Sequence, residues 1–508
     1  MKKKFQSFPW YSILFAVYPV LASLGHNIGQ VEYGVAYRAL LASVLISVSS
    51  VLILYLLLHD WGKAGILTVL WFVAFFVYGN VFELVNGLEV TGVITRRHTY
   101  FMVVWSALFL GLAWLTLKGS WQTALFPFLN TMSVVLVVFP LYQLVTYQYG
   151  ISKRTQIIPP EISVPVQSTE TSPDIYFIIL DMYGRNDVLA KEFGYDDGFF
   201  LQQLKDMGFY VASCSQSNYH STAYSLSATL NANYLNALSA RFTPENKDIT
   251  LMWHLIQNSA VETVLRQHDY KIVAFETGYE WTEWEDADYF YSLRSTKINS
   301  FEELLLRNSF PAVFSQKGYL GEYLLTADQR RHDLALYVLD ELENVSLLPG
   351  PKFVFVHLAI PHPPFVVGPN GELEVIPPHY ENNADYYLKD EYKIGYRNQL
   401  AFLDMRMPQV FETILENSVR PPVIIVQGDH GPRFVKTDKQ LDILSAYYFP
   451  EPRPELYASI TPVNNFRIIF NTYFGASLPY LPDRSYASNL DKPYDFREIP
   501  NNCTTEGD

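Results

Sequence analysis

Five apolar segments within the first 148 residues constrain the fold of this chain more than any other feature. Most of them approach the roughly 20 residues that a helix needs to cross a hydrocarbon core about 30 Å thick, and only short polar turns separate them. Segments of this kind predict an N-terminal α-helical transmembrane bundle of about five spans. They cover residues 11–24, 39–58, 66–84, 101–117 and 124–145.

The N-terminus carries Lys2, Lys3 and Lys4 before the first apolar segment. This pattern is also that of a signal peptide, but no clear small-residue cleavage motif follows near residues 22–25, which favours a retained span. With this cluster included, Lys and Arg are balanced between the two sides of the bundle, so the position of the cluster before the first span decides the orientation. We therefore expect a multi-pass protein of the inner or plasma membrane, with its N-terminus inside and, after five crossings, the remainder of the chain extracytoplasmic.

A proline-rich stretch separates the apolar region from the polar remainder of the chain. Three prolines between residues 159 and 165 precede a run of small polar residues, a composition typical of an extended linker. We therefore divide the chain into a transmembrane domain at 1–148, a linker at 149–172 and a water-facing domain at 173–508. The residues after 150 contain 29 basic and 47 acidic side chains, and this excess of negative charge excludes a nucleic-acid-binding domain.

Four continuous apolar runs of strand length recur in the water-facing domain. Helix-like stretches, such as residues 331–342, lie between them. Strands that are buried on both faces and alternate with helices indicate an α/β domain with a mainly parallel central sheet and helices on both faces. The runs are residues 174–180, 272–275, 353–356 and 423–426.

Two of these runs end in residue types that bind metals. Asp181 follows the first run, and Asp429 and His430 follow the last, between Gly428 and Gly431. Parallel strands end at one edge of a sheet, where open α/β proteins place their chemistry. Carboxylate and imidazole groups at that edge can share one divalent cation that accepts oxygen and nitrogen ligands. The alternative for the Asp-His pair is an ordinary turn.

A hydroxyl-rich segment at residues 221–225, Ser-Thr-Ala-Tyr-Ser, precedes an apparent helix. Thr222 in this segment can simply cap the helix. It can instead act as a nucleophile, with a metal lowering the pKa of its hydroxyl group and the helix amides stabilising the transferred anion. The sequence leaves both interpretations open, but the segment is more specific in combination with the acidic residue and the Asp-His pair.

The order of these motifs resembles that of the alkaline phosphatase superfamily. The chain shows Asp181, the segment 221–225, His357, the Pro-His-Pro-Pro string at 361–364 and the Gly-Asp-His-Gly string at 428–431 in that order. With its five-span plan, it is similar to lipoteichoic acid synthases and lipid A phosphoethanolamine transferases, which are sulfatase-like enzymes. The resemblance implies an alkaline-phosphatase-like fold and a divalent metal ion, zinc or manganese, as the cofactor.

The resemblance also implies catalytic roles for individual residues. Thr222 would be the nucleophile that becomes covalently phosphorylated, and it would also contact the metal ion. Asp181, Asp429 and His430 would be the other metal ligands.

Three further residues are candidates for substrate binding. His362 matches the histidine that these families place against the substrate phosphate. His357 is a second candidate, for which a satisfied core or turn histidine is the alternative. Arg433 is a third candidate that can contact an anionic group, with a solvated surface arginine as the alternative. The aromatic and acidic stretch at 279–290 forms either a wall of the substrate cleft or a surface loop.

The chain departs from these families at three points. The transferases have Glu where this chain has Asp181. They also have several disulfides and a histidine downstream of the Asp-His pair, and this chain has neither. Cys214 and Cys503 are the only cysteines, and the sequence leaves open whether they pair. True sulfatase activity is disfavoured because Cys214 does not lie in a C-x-P-x-R context.

These observations predict a membrane-bound, metal-dependent enzyme, a sulfatase-like phosphotransferase. We expect it to move a phosphoryl-alcohol group, of the phosphoethanolamine or phosphoglycerol type, from a membrane phospholipid donor to an envelope glycan or lipid acceptor through a phosphothreonine intermediate. A membrane-tethered phosphodiesterase or phosphatase with water as acceptor is the first alternative. The second is a catalytically silent envelope-assembly protein, against which the intact nucleophile and metal ligands argue.

Overall fold

The computed structural model divides the chain into two compact units. The first, which we call the helical unit, contains Met1–Arg154 and Ser295–Ala327. The second, which we call the sheet unit, contains Thr155–Arg294 and Asp328–Asp508. The structure describes residues 9–27, 33–87, 98–119, 121–154, 162–165, 172–293, 300–307, 309–310, 327–376, 389–452, 454–489 and 491–503.

Helices and strands alternate along the sheet unit, whereas the described elements of the helical unit are all helices. The α-helices are α1 (Trp10–His26), α2 (Tyr37–Leu58), α3 (Trp61–Phe76), α4 (Tyr78–Gly87), α5 (His98–Lys118), α6 (Gln122–Arg154), α7 (Asn186–Val188), α8 (Gly198–Asp206), α9 (Thr222–Thr229), α10 (Leu235–Leu238), α11 (Thr250–Gln257), α12 (Ala260–Gln267), α13 (Ser300–Arg307), α14 (Ala327–Val345), α15 (Lys389–Asn417) and α16 (Asn465–Tyr473). The strands are β1 (Ile175–Leu180), β2 (Tyr210–Val211), β3 (Lys271–Phe275), β4 (Tyr289–Tyr291), β5 (Lys352–Leu358), β6 (Val423–Gln427), β7 (Ser445–Tyr448), β8 (Ser485–Asn489) and β9 (Lys492–Ile499).

Three helical stretches among the described residues are long and apolar enough to cross a membrane, namely Gly34–Leu58, Tyr100–Lys118 and Ala124–Tyr149. The first predicted segment forms α1, which is apolar but has 17 residues, and the third is divided between α3, with 16 residues, and α4. At 1.5 Å per residue, α1 and α3 fall short of a core about 30 Å thick. A bundle of about five spans is therefore not confirmed and stays a prediction.

The third predicted segment is interrupted where its aromatic side chains pack tightly. Tyr78, the first residue of α4, is fully buried. Its ring lies 5.2 Å from that of Phe101 and 5.3 Å from that of Phe310. The backbone N–H of Phe310 donates to the carbonyl oxygen of Phe75 at 2.8 Å, close to the end of α3. Phe310 follows β4 in the chain, so a distant stretch of sequence supports this break.

That stretch contributes a second set of contacts to the helical unit. Phe301 and Leu305 of α13 are buried in the same apolar cluster as Val20 of α1. Glu302, between them, forms an ion pair with Arg38 of α2, with Nε and Oε1 3.3 Å apart. The domain division from sequence assigned α13 to the water-facing domain, whereas its packing makes it part of the helical unit.

A seven-stranded sheet forms the centre of the sheet unit, in the order β2-β7-β6-β1-β5-β3-β4. The five strands from β6 to β4 are parallel, whereas β7 runs antiparallel to β6 and β2 antiparallel to β7. The four predicted runs form β1, β3, β5 and β6, which confirms the mainly parallel α/β sheet. The remaining strands of this sheet, β2, β4 and β7, are two to four residues long and carry no comparable apolar run.

Helices cover both faces of this sheet, as the continuous apolar runs predict. Every residue of β1 is buried. Tyr176 and Leu180 pack on one face in a cluster that includes residues of α14 and α15. Ile175 and Phe177 pack on the other face with residues of α12 and α16. Burial on both faces fixes β1 in the middle of the sheet, between β5 and β6.

A disulfide answers the question that the sequence left open. Cys214 and Cys503 are bonded, with their Cα atoms 5.5 Å apart, across a sequence separation of 289 residues. The bond ties the residues after β9 to the loop that leads into α9. Disulfides persist in oxidising compartments, which agrees with the extracytoplasmic location expected for the sheet unit.

Candidate active site

Three neighbouring strands bring the candidate metal ligands together at one edge of the sheet. Asp181 directly follows β1, His357 lies near the end of β5, and Asp429 and His430 follow β6. Since β1 lies between β5 and β6 in parallel register, their ends meet. Oδ2 of Asp181 lies 3.3 Å from Nε2 of His357, and Oδ1 lies 3.8 Å from Nε2 of His430. Nε2 of His430 is also 3.7 Å from Oδ2 of Asp429.

The backbone at this edge is arranged so that the two acidic side chains converge. Gly428 approaches the turn after β1 so closely that a Cβ atom there would stand 2.3 Å from the carbonyl oxygen of Tyr183. Met182 in the same turn adopts a φ of +71°, which is unusual for a residue other than glycine. Its backbone N–H donates to Oδ1 of Asp429 at 3.0 Å. The turn after β1 therefore positions both carboxylates.

Several buried polar atoms here have no hydrogen-bond partner, and their arrangement fits a divalent metal ion. They are Oδ1 of Asp181, Oδ2 of Asp429 and Nε2 of His357, whose 3.3 Å contact with Asp181 is not aligned for a hydrogen bond. One ligand atom from each residue lies within 4.8 Å of the others. Burying such groups without a partner is costly, and a shared cation removes that cost. Mixed carboxylate and imidazole donors suit zinc or manganese.

His357 therefore has a different setting from the one expected from sequence. The sequence analysis grouped it with the substrate contacts, whereas its Nε2 atom points toward Asp181. Its other ring nitrogen, Nδ1, lies 3.3 Å from Oγ1 of Thr282. Metal-binding histidines usually hold their second nitrogen in such a contact, which fixes the ring orientation. The sequence signal for this role was weak because a histidine within a strand usually belongs to the core.

Neighbouring charges shift the two carboxylates in opposite directions. Burial acts to raise the pKa of Asp181, but the imidazoles of His362, His357 and His430 hold it below its usual range. The pKa of Asp429 is raised by burial and by the negative charge of Asp181. Two adjacent buried carboxylates repel each other in this way until a cation or a proton separates their charges.

Thr222 lies beside this pair at the start of α9. It is the first helical residue and is buried, whereas Ser221 occupies the N-cap position with an extended backbone and no side-chain cap. Capping is therefore not the role of the Thr222 hydroxyl group. The side chain of Thr222 instead lies close to Asp429, where it acts to lower the pKa of that carboxyl group. The hydroxyl of Ser217 donates to the carbonyl oxygen of Asp429 and so ties this loop to the end of β6.

His362 reaches the site from the loop after β5. Its backbone carbonyl accepts a hydrogen bond from Nε2 of Gln399 at 3.3 Å. Burial lowers the pKa of His362 to about 4, against the opposing charge of Asp181. The ring of Tyr279 lies 6.3 Å from the rings of both His362 and His357. Arg331 donates to the hydroxyl of Tyr279 at 2.7 Å, which brings a positive charge to this side of the site.

The aromatic stretch after β3 therefore contributes Tyr279 and Thr282 to the site and not a continuous aromatic wall. Tyr279 lies against the two histidines. Trp284, in contrast, is fully buried and stacks on Phe355 at 4.6 Å, so it belongs to the core. Trp281 stacks on Trp253 at 6.1 Å.

Two further residues near His430 are Arg433, a substrate-binding candidate from sequence, and His220, which sequence reasoning missed. The backbone N–H of Arg433 donates to the hydroxyl of Tyr392 at 3.1 Å, and its side chain is partly exposed. Nδ1 of His220 is buried without a hydrogen-bond partner. Burial, followed by the charges of His430 and Arg433, lowers the pKa of His220 to about 4. Its position two residues before Thr222 was the sequence signal that could have identified it.

Comparison with known proteins gives likenesses of structure alone, since no family model and no curated protein matches the chain. The C-terminal periplasmic domain of EcEptC from Escherichia coli has 14% sequence identity and a TM-score of 0.44, over 67% of this chain and 96% of that domain. The same domain has also been solved in complex with Zn, at 13% identity and a TM-score of 0.44.

Two further structures are of a phosphoethanolamine transferase and a lipoteichoic acid synthase. The integral membrane protein lipooligosaccharide phosphoethanolamine transferase A (EptA) from Neisseria meningitidis has 13% identity and a TM-score of 0.35, over 88% of this chain and 89% of that chain. The lipoteichoic acid synthase LtaP from Listeria monocytogenes has 11% identity and a TM-score of 0.37, over 64% and 83%. These are the kinds of sulfatase-like enzyme that the sequence motifs resemble. At such identities and TM-scores, the activity has to be argued from the site itself.

Proposed function

We propose that this chain is a membrane-bound, metal-dependent phosphotransferase of the sulfatase-like type. It moves a phosphoryl-alcohol group, such as phosphoethanolamine or phosphoglycerol, from a membrane phospholipid to a cell-envelope glycan or lipid. The observation that carries this proposal is the position of Thr222, whose buried hydroxyl group acts on Asp429 beside three unpaired metal-ligand atoms. A nucleophile and a cation site in direct contact are what covalent phosphoryl transfer requires.

Asp181, Asp429, His357 and His430 would hold the divalent ion, and Thr222 would complete the site. The ion would supply Lewis-acid chemistry, lowering the pKa of the threonine hydroxyl group and neutralising charge on the phosphoryl oxygens. In the first step, Oγ1 of Thr222 forms a bond to phosphorus while the bond from phosphorus to the lipid alkoxide breaks. The proton lost by the Thr222 hydroxyl group balances the proton that the departing alkoxide takes up, so the donor leaves as diacylglycerol. In the second step, an acceptor hydroxyl attacks phosphorus, the bond from phosphorus to Oγ1 of Thr222 breaks, and the proton lost by the acceptor is balanced by the one that restores the threonine hydroxyl group.

The remaining side chains of the site would hold the phosphoryl group during these steps. Arg433 and His220 are near His430, and His362 is near Asp181 and His430. His362 is neutral at neutral pH, since burial keeps its pKa at about 4, so it donates or accepts a hydrogen bond without adding charge. Arg433 supplies the positive charge that a phosphodiester needs.

We infer that the sheet unit lies outside the cytoplasm. The Cys214–Cys503 disulfide supports this location. Connectivity adds a constraint on α2. The chain enters the segment that carries Glu302 from β4 and leaves it into α14 without an apolar run long enough to cross a bilayer. Because Arg38, near the start of α2, pairs with Glu302, we propose that this end of α2 is also extracytoplasmic.

The test is to trap the intermediate on the full-length protein reconstituted with a phospholipid that carries an isotope-labelled headgroup. Mass spectrometry of the intact chain should detect a phosphoryl-alcohol adduct that maps to Thr222. Thr222→Ala should abolish both the adduct and turnover. Thr229→Ala is the matched control, because Thr229 lies in the same helix with its hydroxyl bonded to the carbonyl of Ser225.

The acceptor decides between transferase and tethered hydrolase. An adduct that persists until a glycan or lipid acceptor is added supports the transferase. Release of free phosphoryl-alcohol into water at the same rate with and without an acceptor supports the phosphodiesterase. Absence of any adduct or turnover with the wild-type chain, over a panel of phospholipids and metals, would favour the silent assembly protein.

A further inference from the structure

A groove of about 260 Å³ lies between α2, α3 and α13 within the helical unit. Most of its wall is apolar, with Ala42 and Ile46 of α2 and Phe72 and Phe75 of α3 among the lining residues. Ala42 and Ile46 are exposed, so the groove is open to its surroundings. Because α2 belongs to a stretch that is long and apolar enough to cross a membrane, those surroundings are lipid.

One end of the groove is charged. Arg38 and Glu302 both line it and are paired with each other at 3.3 Å. The side chain of Arg38 is 48% exposed and that of Glu302 13%, so the arginine is the more accessible of the two and the carboxylate lies deeper. Arg38 is close to the N-terminal end of the span Gly34–Leu58. A charged residue at the end of a span lies at the level of the lipid headgroups.

The lining residues of α2 lead from this charged end into the hydrocarbon. Arg38, Ala42 and Ile46 recur every fourth residue, which places them along one face of the helix. Eight residues of α-helix rise about 12 Å, so the groove runs from the headgroup level well into the acyl-chain region. Small side chains on α2, such as Ala42, face aromatic rings on α3, such as Phe72 and Phe75, across this groove.

A second groove of about 450 Å³ adjoins the first. Trp71 and Phe75 line both grooves, and Phe310 closes part of the second. Its other lining residues come from α3 and α5 and are nearly all apolar. Two apolar grooves with a shared wall correspond to the two acyl chains of a glycerophospholipid.

We propose that these two grooves bind one zwitterionic glycerophospholipid, with its phosphate at Arg38, its ammonium group at Glu302 and its acyl chains along α3. The charge pair decides the lipid class. A zwitterion offers an opposite charge to each side chain, whereas an anionic lipid satisfies Arg38 and leaves the largely buried Glu302 near a negative charge. A helix of a second chain would need its own pair of charges at this level, while every zwitterionic lipid carries one.

This site is separate from the chemistry proposed at Thr222, and lipid binding is measured without turnover. The full-length protein is reconstituted in bilayers with equal amounts of phosphatidylethanolamine and phosphatidylglycerol, extracted in a mild detergent and washed. Mass spectrometry then quantifies the lipid that remains bound. We expect about one phosphatidylethanolamine per chain, and Thr222→Ala should retain it equally whether or not that residue is the nucleophile.

Two charge variants test the headgroup contacts. Arg38→Gln should lower the retention of both lipids by about tenfold, and Arg38→Lys should restore most of it, because a single cation suffices for phosphate. Glu302→Gln should keep a lipid bound but abolish the preference for phosphatidylethanolamine. This change of preference is a result that loss of folding cannot produce.

A groove-filling variant tests the acyl-chain contacts. Ala42→Phe should expel the lipid while both charges remain. Leu41→Phe is its control, since Leu41 is exposed on α2 and does not line either groove. Equal retention of the two lipids by the wild-type chain and all variants would identify ordinary boundary lipid and overturn the proposal. A dimer in the washed sample with no bound lipid would overturn it as well and assign the grooves to a second copy.

Discussion

Gly428 lies against Tyr183 so closely that a Cβ atom at position 428 would stand 2.3 Å from the Tyr183 carbonyl oxygen. The contact joins the turns after β6 and β1, and these turns carry Asp429 and Asp181. The spacing of the two carboxylates therefore depends on a glycine that has no side chain to bind a metal ion.

The first prediction is that Gly428→Ala weakens the metal site without removing a ligand. The methyl group would push the two turns apart, and overpacking of this kind costs about 1–3 kcal/mol. Elemental analysis should show less bound cation, and thermal unfolding should begin at a lower temperature. Gly111→Ala is the control, since nothing lies within 4 Å of the added Cβ there. Full metal content in Gly428→Ala would contradict this prediction, because it would show that the added methyl group fits without displacing the metal ligands.

The second prediction distinguishes metal ligands from substrate contacts. His357→Ala and Asp429→Asn should each lower the affinity for the cation by more than tenfold, because each removes or neutralises a buried donor. Thr282→Ala should weaken binding less, through the lost contact with Nδ1 of His357. Titration of the chelated protein with zinc and manganese measures these affinities.

The control for this series is His268→Ala. His268 is buried, and its two ring nitrogens lie 2.8 Å from the carbonyl oxygen of Val264 and 3.0 Å from that of Pro165. Its removal tests the loss of a buried histidine elsewhere in the sheet unit. Unchanged metal affinity in His357→Ala would return His357 to the substrate-binding role expected from sequence.

The third prediction concerns a buried carboxyl group behind the turn after β1. Asp404 accepts hydrogen bonds from the hydroxyls of Tyr183 at 2.5 Å and Tyr195 at 2.6 Å. Burial outweighs these bonds and raises its pKa to about 7. A carboxyl group with a raised pKa binds more protons in the folded state than in the unfolded state, so its contribution to stability is present at low pH and is lost as pH rises through about 7.

Chemical unfolding between pH 4 and pH 8 checks this dependence. The free energy of unfolding of the wild-type protein should contain a component that falls over this range, and Asp404→Asn should remove it. Asp206→Asn is the control, because Asp206 is exposed on α8. A slope that is the same in Asp404→Asn and in the wild type would assign the pH dependence to other groups.

The fourth prediction concerns a truncated protein that begins at Ser172. It would keep the segment with Phe301, Leu305 and Phe310 but lose the helices that bury it. Exposed apolar side chains of this size promote association, so the truncated protein should aggregate in the absence of detergent. Size-exclusion chromatography measures this directly. Replacing the three residues by Ser should yield a monomer, whereas a monomer without these replacements would show that the segment does not need the helical unit.

The sequence by itself determined the elements that depend on local pattern. Continuous apolar runs predicted β1, β3, β5 and β6, since strands buried on both faces need apolar side chains at every position. The residues that follow these strands predicted Asp181, Asp429 and His430 at one edge, because parallel strands end together. Thr222 was predicted as the nucleophile from its place in a motif, although the motif alone left capping open as its role.

The tertiary structure decided what depends on contacts between distant parts of the chain. It turned His357 toward Asp181, paired Cys214 with Cys503, and packed α13 against helices that lie far earlier in the sequence. It also brought the buried Nδ1 atom of His220 to the edge of the site. A sequence pattern records the period with which side chains alternate between faces, but it does not record which distant side chain meets each face. That choice is made by the packing of the whole chain.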